Sequence, residues 1–307
     1  MARVLRAEKL ETVRDLAVLC VRKEIRSRKE LVRVAKDEGI LKWSQSRIFQ
    51  YVEALRLFGL NMSPVGLDTI IPSPTAVALS QVKNSGYKTS SLTRTEASIL
   101  RKTVFRSEYV QERFLRYFSR SSDDSLNIRA FRRRAIPVFV TRSYSETEAH
   151  GKKIVTHRLC DIDNGIRRFS RIDANEFLYT IWYWCRSLGL VDRIIVAPDS
   201  EIPPNRSYMI FPIKKDRVPL SQFERLLRKL YRRDNLVVPV PKLMYKLCST
   251  YFIPLEVTKR LITALVKKKT GKYYLSRAPE ILLGSPAYRD SYINLDGYWR
   301  SELVLRR

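Results

Sequence analysis

The chain has 307 residues, 45% of them hydrophobic, which is enough for about two domains with cores of their own. Lys and Arg number 58 against 31 Asp and Glu, a formal charge of +27, so the folded chain repels itself unless an anionic partner neutralises it. No stretch reaches the roughly 18 apolar residues of a membrane span, and six charges between Arg6 and Asp15 exclude a secretory apolar region there.

In chain order, Leu10, Val13, Ala17 and Cys20 share one face of a helix expected over 7–22. Ser27 and Glu30 have the spacing of a capping box, in which hydroxyl and carboxylate each accept from the other end's amide. The helix they open carries Leu31, Val34 and Ala35 and stops at Gly39. Ser44 is placed to cap a third helix over 45–58, where Ile48, Tyr51, Val52, Leu55 and Phe58 keep helical spacing. Gly59 suits the left-handed residue that ends it. Pro- and Ser-rich chain, expected to be extended, follows to Ala78.

A polar linker over 80–91 leads to two helices at 95–104 and 108–118, which the Ser- and Asp-rich 119–125 closes. Segments 135–144 and 153–160 alternate around a polar turn and predict a β-hairpin. Asp173 and Glu176 form a second capping box and open an aromatic helix with Phe177, Leu178, Ile181, Trp182, Cys185 and Leu188. Gly189 ends it, and two strands separated by a Pro-rich turn follow over 192–213. Ser221 and Glu224 make a third capping box, for a helix to about Arg232. Pro241 and Pro254 suit the first turns of two more helices, the first short and running through Leu247, the second with Leu255, Val257, Leu261, Ile262 and Leu265 on its apolar side. The run KKKTGKYYLSRA at 267–278 reads as a hairpin with Thr270 and Gly271 at its tip. The tail beyond it has strand-like pieces that are expected to pack back on the body.

Three short helices, the third ending in Gly-Leu before extended chain, resemble a winged helix-turn-helix over 7–78. The pattern recurs with different letters over 221–278. RLFGLNM at 56–62 and RSLGLVDR at 186–193 mark the same helix exit, so the aromatic helix and its two strands resemble a degenerate third copy. The resemblance is to a fold superfamily. It implies an α+β fold, with tandem winged-helix domains at both ends and a mixed middle region containing a β-hairpin and the degenerate unit. The boundaries are 1–80, 81–215 and 216–307.

A winged helix sets the N-terminal, solvent-facing residues of its third helix on base edges. In the first unit these are Gln45, Ser46, Arg47 and Gln50, with Lys42 and Trp43 before them in position for phosphate or sugar. In the last unit Lys259 and Arg260 lie on the outer part of the helix. Lys267, Lys268, Lys269 and Lys272 surround the expected wing tip, where lysines position a protein on phosphates without reading sequence. Arg129, Arg132, Arg133 and Arg134 form a further basic cluster, and Arg167, Arg168 and Arg171 another. Arg225, Arg228, Lys229 and Arg232 recur along one helix face, with Arg233 beside them. The aromatic helix over 174–188 has little polar face and is expected to be buried or to join a homodimer or larger complex.

Evidence for catalysis is thin. Cys20, Cys160, Cys185 and Cys248 show no Cys-x-x-Cys spacing and read as reduced thiols. His150 and His157, the two histidines, match no zinc pattern with Cys160. Asp123, Asp124, Asp161 and Asp163 are the acidic residues available for Mg²⁺. Pro198-Asp199 followed by Ile213-Lys214-Lys215 resembles the Pro-Asp…acid-x-Lys core of nucleases, without the second acid. No cofactor and no metal are expected. The expected function is non-catalytic binding of double-stranded DNA through recognition helices and basic wings. Its role would be that of a regulator, a replication initiator or the DNA-binding subunit of a mobile-element or defence complex. A metal-dependent nuclease and an RNA-binding subunit of a ribonucleoprotein assembly are the alternatives. The expected location is cytoplasmic and nucleoid-associated, away from membranes.

Overall fold

The computed structural model describes residues 9–40, 45–64, 66–83, 91–104, 107–118, 135, 137–145, 154–161, 180–195, 207–231, 236–277 and 291–306. They form a mixed α+β fold with two small sheets. The chain divides into two compact units, Met1–Ala135 with Ile172–Leu190, and Ile136–Arg171 with Val191–Arg307. The division after Leu190 puts the aromatic helix in the first unit and the two strands after it in the second.

The first unit holds α1 (Leu10–Arg22), α2 (Arg28–Asp37), α3 (Gln45–Leu57), α4 (Pro74–Ser80), α5 (Arg94–Val104), α6 (Glu108–Phe118) and α7 (Trp182–Ser187). The central helix is α1, which packs against α2, α3, α4 and α7. Its residues from Val13 to Cys20 are all buried, Arg14 and Asp15 included. A buried cation needs partners. Arg14 donates from Nε to Asp15 Oδ1 at 2.6 Å and from Nη1 to Glu96 Oε1 at 2.7 Å. Glu96 is itself a cap: its Oε2 accepts from the Thr93 amide at 2.7 Å, while Thr93 Oγ1 accepts from the Glu96 amide at 3.2 Å. Burial alone would raise the Glu96 pKa. The Thr93 amide, the Arg14 guanidinium and the Thr93 hydroxyl outweigh it and hold the carboxyl below its ordinary value.

The expected cap of α2 forms: Ser27 Oγ accepts from the Glu30 amide at 3.2 Å. The Glu30 carboxylate reaches one residue further back, to the Arg26 amide at 3.1 Å. Gly59 ends α3 at φ +64. The chain after it departs from the expected extended stretch to Ala78. It doubles back, Asn61 pairing with Pro72 and Thr69 with Ser27, and then starts α4. The reason is local: Ser73 Oγ accepts from the Ala76 amide at 3.2 Å, and Pro74 occupies the first helical position, where its fixed φ is pre-set. In α7, Trp182, Trp184 and Cys185 are buried, and the Trp184 ring stands edge-on to Phe58 at 5.0 Å. The described part of the aromatic helix therefore packs one face into the core and leaves Tyr183 and Arg186 exposed. The Ser44 cap and the Asp173 and Glu176 box lie outside the described residues.

The second unit has two antiparallel sheets. One contains β1 (Val138–Ser145), β2 (Ile154–Asp161), β3 (Val191–Ile195) and β4 (Ser207–Pro212) in the order β2-β1-β4-β3. The expected hairpin pairs Val138 with Asp161 through to Ser145 with Ile154. The other contains β5 (Leu236–Pro239), β6 (Tyr273–Arg277), β7 (Ile293–Leu295) and β8 (Tyr298–Leu305), ordered β5-β8-β6 with β7 beside β8. The helix α8 (Leu220–Leu230) precedes β5, and α9 (Val240–Tyr251) and α10 (Leu255–Lys268) lie between β5 and β6. One core joins Met209 and Phe211 of the first sheet to Phe223, Leu247, Ile262, Tyr273 and Leu303.

Three expectations are corrected in this unit. The Ser221 and Glu224 box does not form, because α8 starts two residues earlier than a Ser221 cap requires, behind Pro219, and Glu224 is bonded elsewhere. The helix begun at Pro241 continues past Leu247 to Tyr251, where Phe252 at φ +53 stops it. The lysine-rich 267–278 is not a hairpin. Lys267 and Lys268 close α10, a turn follows, and β6 pairs with β8. The tight hairpin joins β7 to β8 through Asp296 and Gly297, at φ 54 and 82, a two-residue turn of the kind Asp-Gly favours.

Candidate nucleic-acid interface

The second unit presents α10 between a capped start and a cationic end. The Leu255 amide donates to Asp192 Oδ2 at 2.7 Å, while Asp192 Oδ1 takes the Arg193 amide at 2.8 Å. Asp192 of β3 thus caps a helix more than sixty residues away and sets a negative charge at its positive end. Leu255, Thr258, Ile262, Leu265 and Val266 are buried. The outer face shows Glu256, Arg260, Lys267 and Lys268 to solvent, with the half-buried Thr263 and Ala264 between them.

The predicted contacts on this helix are not equivalent. Lys259 is largely covered, its side chain 18% exposed, and its Nζ lies 2.9 Å from Glu256. Arg260 is exposed, and its Nε donates to the Glu256 carbonyl at 3.3 Å. Lys269 Nζ lies 2.6 Å from Glu224 Oε2, tying the end of α10 to α8. The Tyr273 hydroxyl donates to Glu224 Oε1 at 3.0 Å, and Arg228 Nε donates to that hydroxyl at 3.1 Å. The Lys269 bond, against the opposing effect of burial, holds the Glu224 carboxyl below its ordinary pKa. Lys267 is loosely paired with Asp296 at 3.9 Å. Lys268 and Lys272 are exposed and have no acidic partner among the described residues. Arg225, Arg228 and Lys229 are exposed along α8. Arg232 and Arg233 lie outside the described residues.

In the first unit Gln45, Ser46 and Arg47 occupy the first turn of α3, and their side chains lie outside the described residues. Gln50 is half-buried. Exposed Lys29, Arg33 and Lys36 line α2. Lys42, Arg129, Arg132, Arg133, Arg134, Arg167, Arg168 and Arg171 lie outside the described residues. The two Arg-x-x-Gly-Leu exits use their arginines differently. Arg56 clamps the loop after α3, donating from Nη2 to the Leu67 carbonyl at 2.9 Å. Arg186 lies exposed over the Trp182 ring, 5.7 Å from its centroid. Neither Arg56 nor Asp192 was expected in these roles. The signal for Asp192 was its place in GLVDR at a strand start, which says nothing of a distant helix.

No group of three His, Cys, Asp or Glu suited to a metal occurs among the described residues. His157, Cys160 and Asp161 are on β2, while His150, Asp123, Asp124, Asp163 and Asp199 lie outside the described residues. Lys214, of the nuclease-like pattern, rests over the Phe252 ring at 4.3 Å, and burial lowers its pKa. Cys20, Cys185 and Cys248 are buried free thiols, and burial is the main cause that pushes Cys20 up to about 12. Among the described residues no helix is long and apolar enough to cross a membrane. Comparison with protein-family models, with curated proteins and with solved structures gives no match for this chain.

Proposed function

We propose that the chain binds double-stranded DNA without catalysis, through a winged-helix arrangement in each compact unit. The observation that carries this reading is the element order of the second unit. Helix, strand, two helices and three strands, of which β7 is a three-residue arm, follow one another from α8 to β8, and the strand before α9 and the strand after α10 both pair with β8. That is the order in which a winged helix presents its third helix to a groove.

On α10 the outer face supports the same reading. Arg260, Lys267 and Lys268 flank the small Thr263 and Ala264, which leave room for close approach to a duplex. The Asp192 carboxylate takes the Leu255 amide and sets a negative charge at the helix start that would repel a phosphate there. Phosphate contact then falls to the side chains of the outer face and last turn. The first unit follows the same order in miniature, the residue before α2 pairing with the chain that returns after α3. A formal charge of +27 supplies the sequence-independent attraction. Regulator, replication initiator and DNA-binding subunit of a mobile-element or defence complex are all roles of this class.

Selection from random duplexes tests the reading. The wild type should enrich a short sequence, Arg47→Ala and Arg260→Ala should each relax one position of it, and Lys268→Ala should weaken all sequences alike. Losses from all three that are equal and blind to sequence would leave no base-reading helix.

A further inference from the structure

The loop between α3 and α4 holds three large apolar side chains in solvent: Met62 is 58% exposed, Leu67 53% and Ile71 43%. Its described residues are tied down at several points. Arg56 donates from Nε to the Ser63 carbonyl at 3.2 Å and from Nη2 to the Leu67 carbonyl at 2.9 Å. Asn61 Oδ1 accepts from the Ser63 amide at 3.1 Å and the Ile71 amide at 2.9 Å. The Met62 amide donates to the Ile71 carbonyl at 2.8 Å, so these two residues face each other across the loop. On the far side Ile70 donates to the Arg26 carbonyl and Arg28 to the Asp68 carbonyl, at 2.8 and 2.9 Å. A loop held this way cannot turn its apolar side chains inward without breaking those bonds. Their exposure is built in.

The surroundings indicate what covers them. Arg26, whose carbonyl takes the Ile70 amide, is exposed beside the loop, and Asp68, the one acid within it, is matched by Arg28 at 3.1 Å. An apolar tip among cations fits a ligand whose edges are anionic and whose interior is apolar. Duplex DNA has phosphates along the rims of its grooves, and the apolar faces of its stacked bases are reached by parting a step.

We propose that Met62, Leu67 and Ile71 form a wedge that enters a groove of the bound duplex, parts a base step and bends the DNA. The proposal rests on the reading of the first unit as a DNA-binding winged helix and adds a consequence that reading does not require. Pyrimidine–purine steps unstack most readily, so the preferred target contains one.

The test uses the full chain and a short duplex carrying one TA step, with dyes at its ends for energy transfer and 2-aminopurine beside the step. The wild type should bring the ends closer and raise the 2-aminopurine fluorescence. The triple variant Met62→Ser, Leu67→Ser, Ile71→Ser should leave the DNA straight and bind about tenfold more weakly, because the apolar burial is lost. Its salt dependence should be unchanged, since no charge is altered. The three sites are exposed, and an unchanged circular dichroism melt would show that the variant folds. Leu67→Ser alone, at the loop's far end, should reduce the bend in part. A triple variant that bends DNA as the wild type does overturns the wedge and leaves duplex binding standing. A variant that instead abolishes self-association in sedimentation, with bending intact, also overturns it and assigns the surface to a second copy. A wild type that binds no duplex overturns both proposals.

Discussion

Replacing Lys267, Lys268 and Lys272 together with Gln, and Lys269 alone with Gln, tests which lysines of one short run meet phosphate. The structure separates them. Lys269 lies 2.6 Å from Glu224, whose side chain is only 15% exposed. Lys267 is 61% exposed and 3.9 Å from an Asp296 that is itself 71% exposed, so water screens that pair heavily. Lys268 and Lys272 are exposed without an acidic partner among the described residues. Each phosphate neutralised on duplex DNA adds about 0.9 to the log–log slope of affinity against salt. The triple variant should therefore flatten the slope by about 2.7. Lys269→Gln should leave it nearly unchanged and cost at most about 1 kcal/mol of stability, as a surface ion pair does. The assay is fluorescence anisotropy with a labelled duplex at several KCl concentrations. A slope unchanged in the triple variant, or flattened by Lys269→Gln as much as by each of the other lysines, would refute the reasoning.

Glu96→Ala removes a bond to a fully buried guanidinium and half of a capping box, so urea unfolding should report a loss of about 3–5 kcal/mol; a loss under about 1 kcal/mol would contradict the burial. The Glu96 pKa is lower folded than unfolded, so its contribution is complete above about pH 4.5 and is lost as pH falls through the folded value. The stability gap between wild type and Glu96→Gln should close over that acid range. Asp192→Ala uncaps α10 and should cost about 1–2 kcal/mol, part of which Asp192→Asn restores by keeping an acceptor, measured by the same unfolding curves.

Local signals were legible where two of them agreed. Apolar spacing with a following Gly located α3, and the Ser27 and Glu30 pair located α2. Where one signal had to serve two readings, the reading failed. Ser73-Pro74 looks like loop composition and is equally a cap followed by a first helical residue. Thr93 and Glu96 have the same spacing as Ser27 and Glu30, but the partner that gives Glu96 its importance is Arg14, 82 positions earlier. Long-range pairing was the harder loss. Thr270-Gly271 reads as a hairpin tip between a lysine run and a Tyr-rich stretch, whereas the partner of Ser276 is Glu302 on β8. The Asp296-Gly297 turn was visible in the letters and points to the hairpin that does form. For the candidate interface, charge was legible and neutralisation was not. Nothing near Lys269 in sequence indicates that Glu224 holds it, and nothing near Leu255 indicates the carboxylate of Asp192.

Competition at matched salt tests the central claim most directly. A labelled duplex bound to the full chain is challenged with unlabelled duplex DNA, single-stranded DNA and structured RNA. The account predicts that duplex DNA displaces the label at the lowest concentration and that the advantage persists as salt rises. Displacement by RNA or single strands at equal or lower concentration would contradict it.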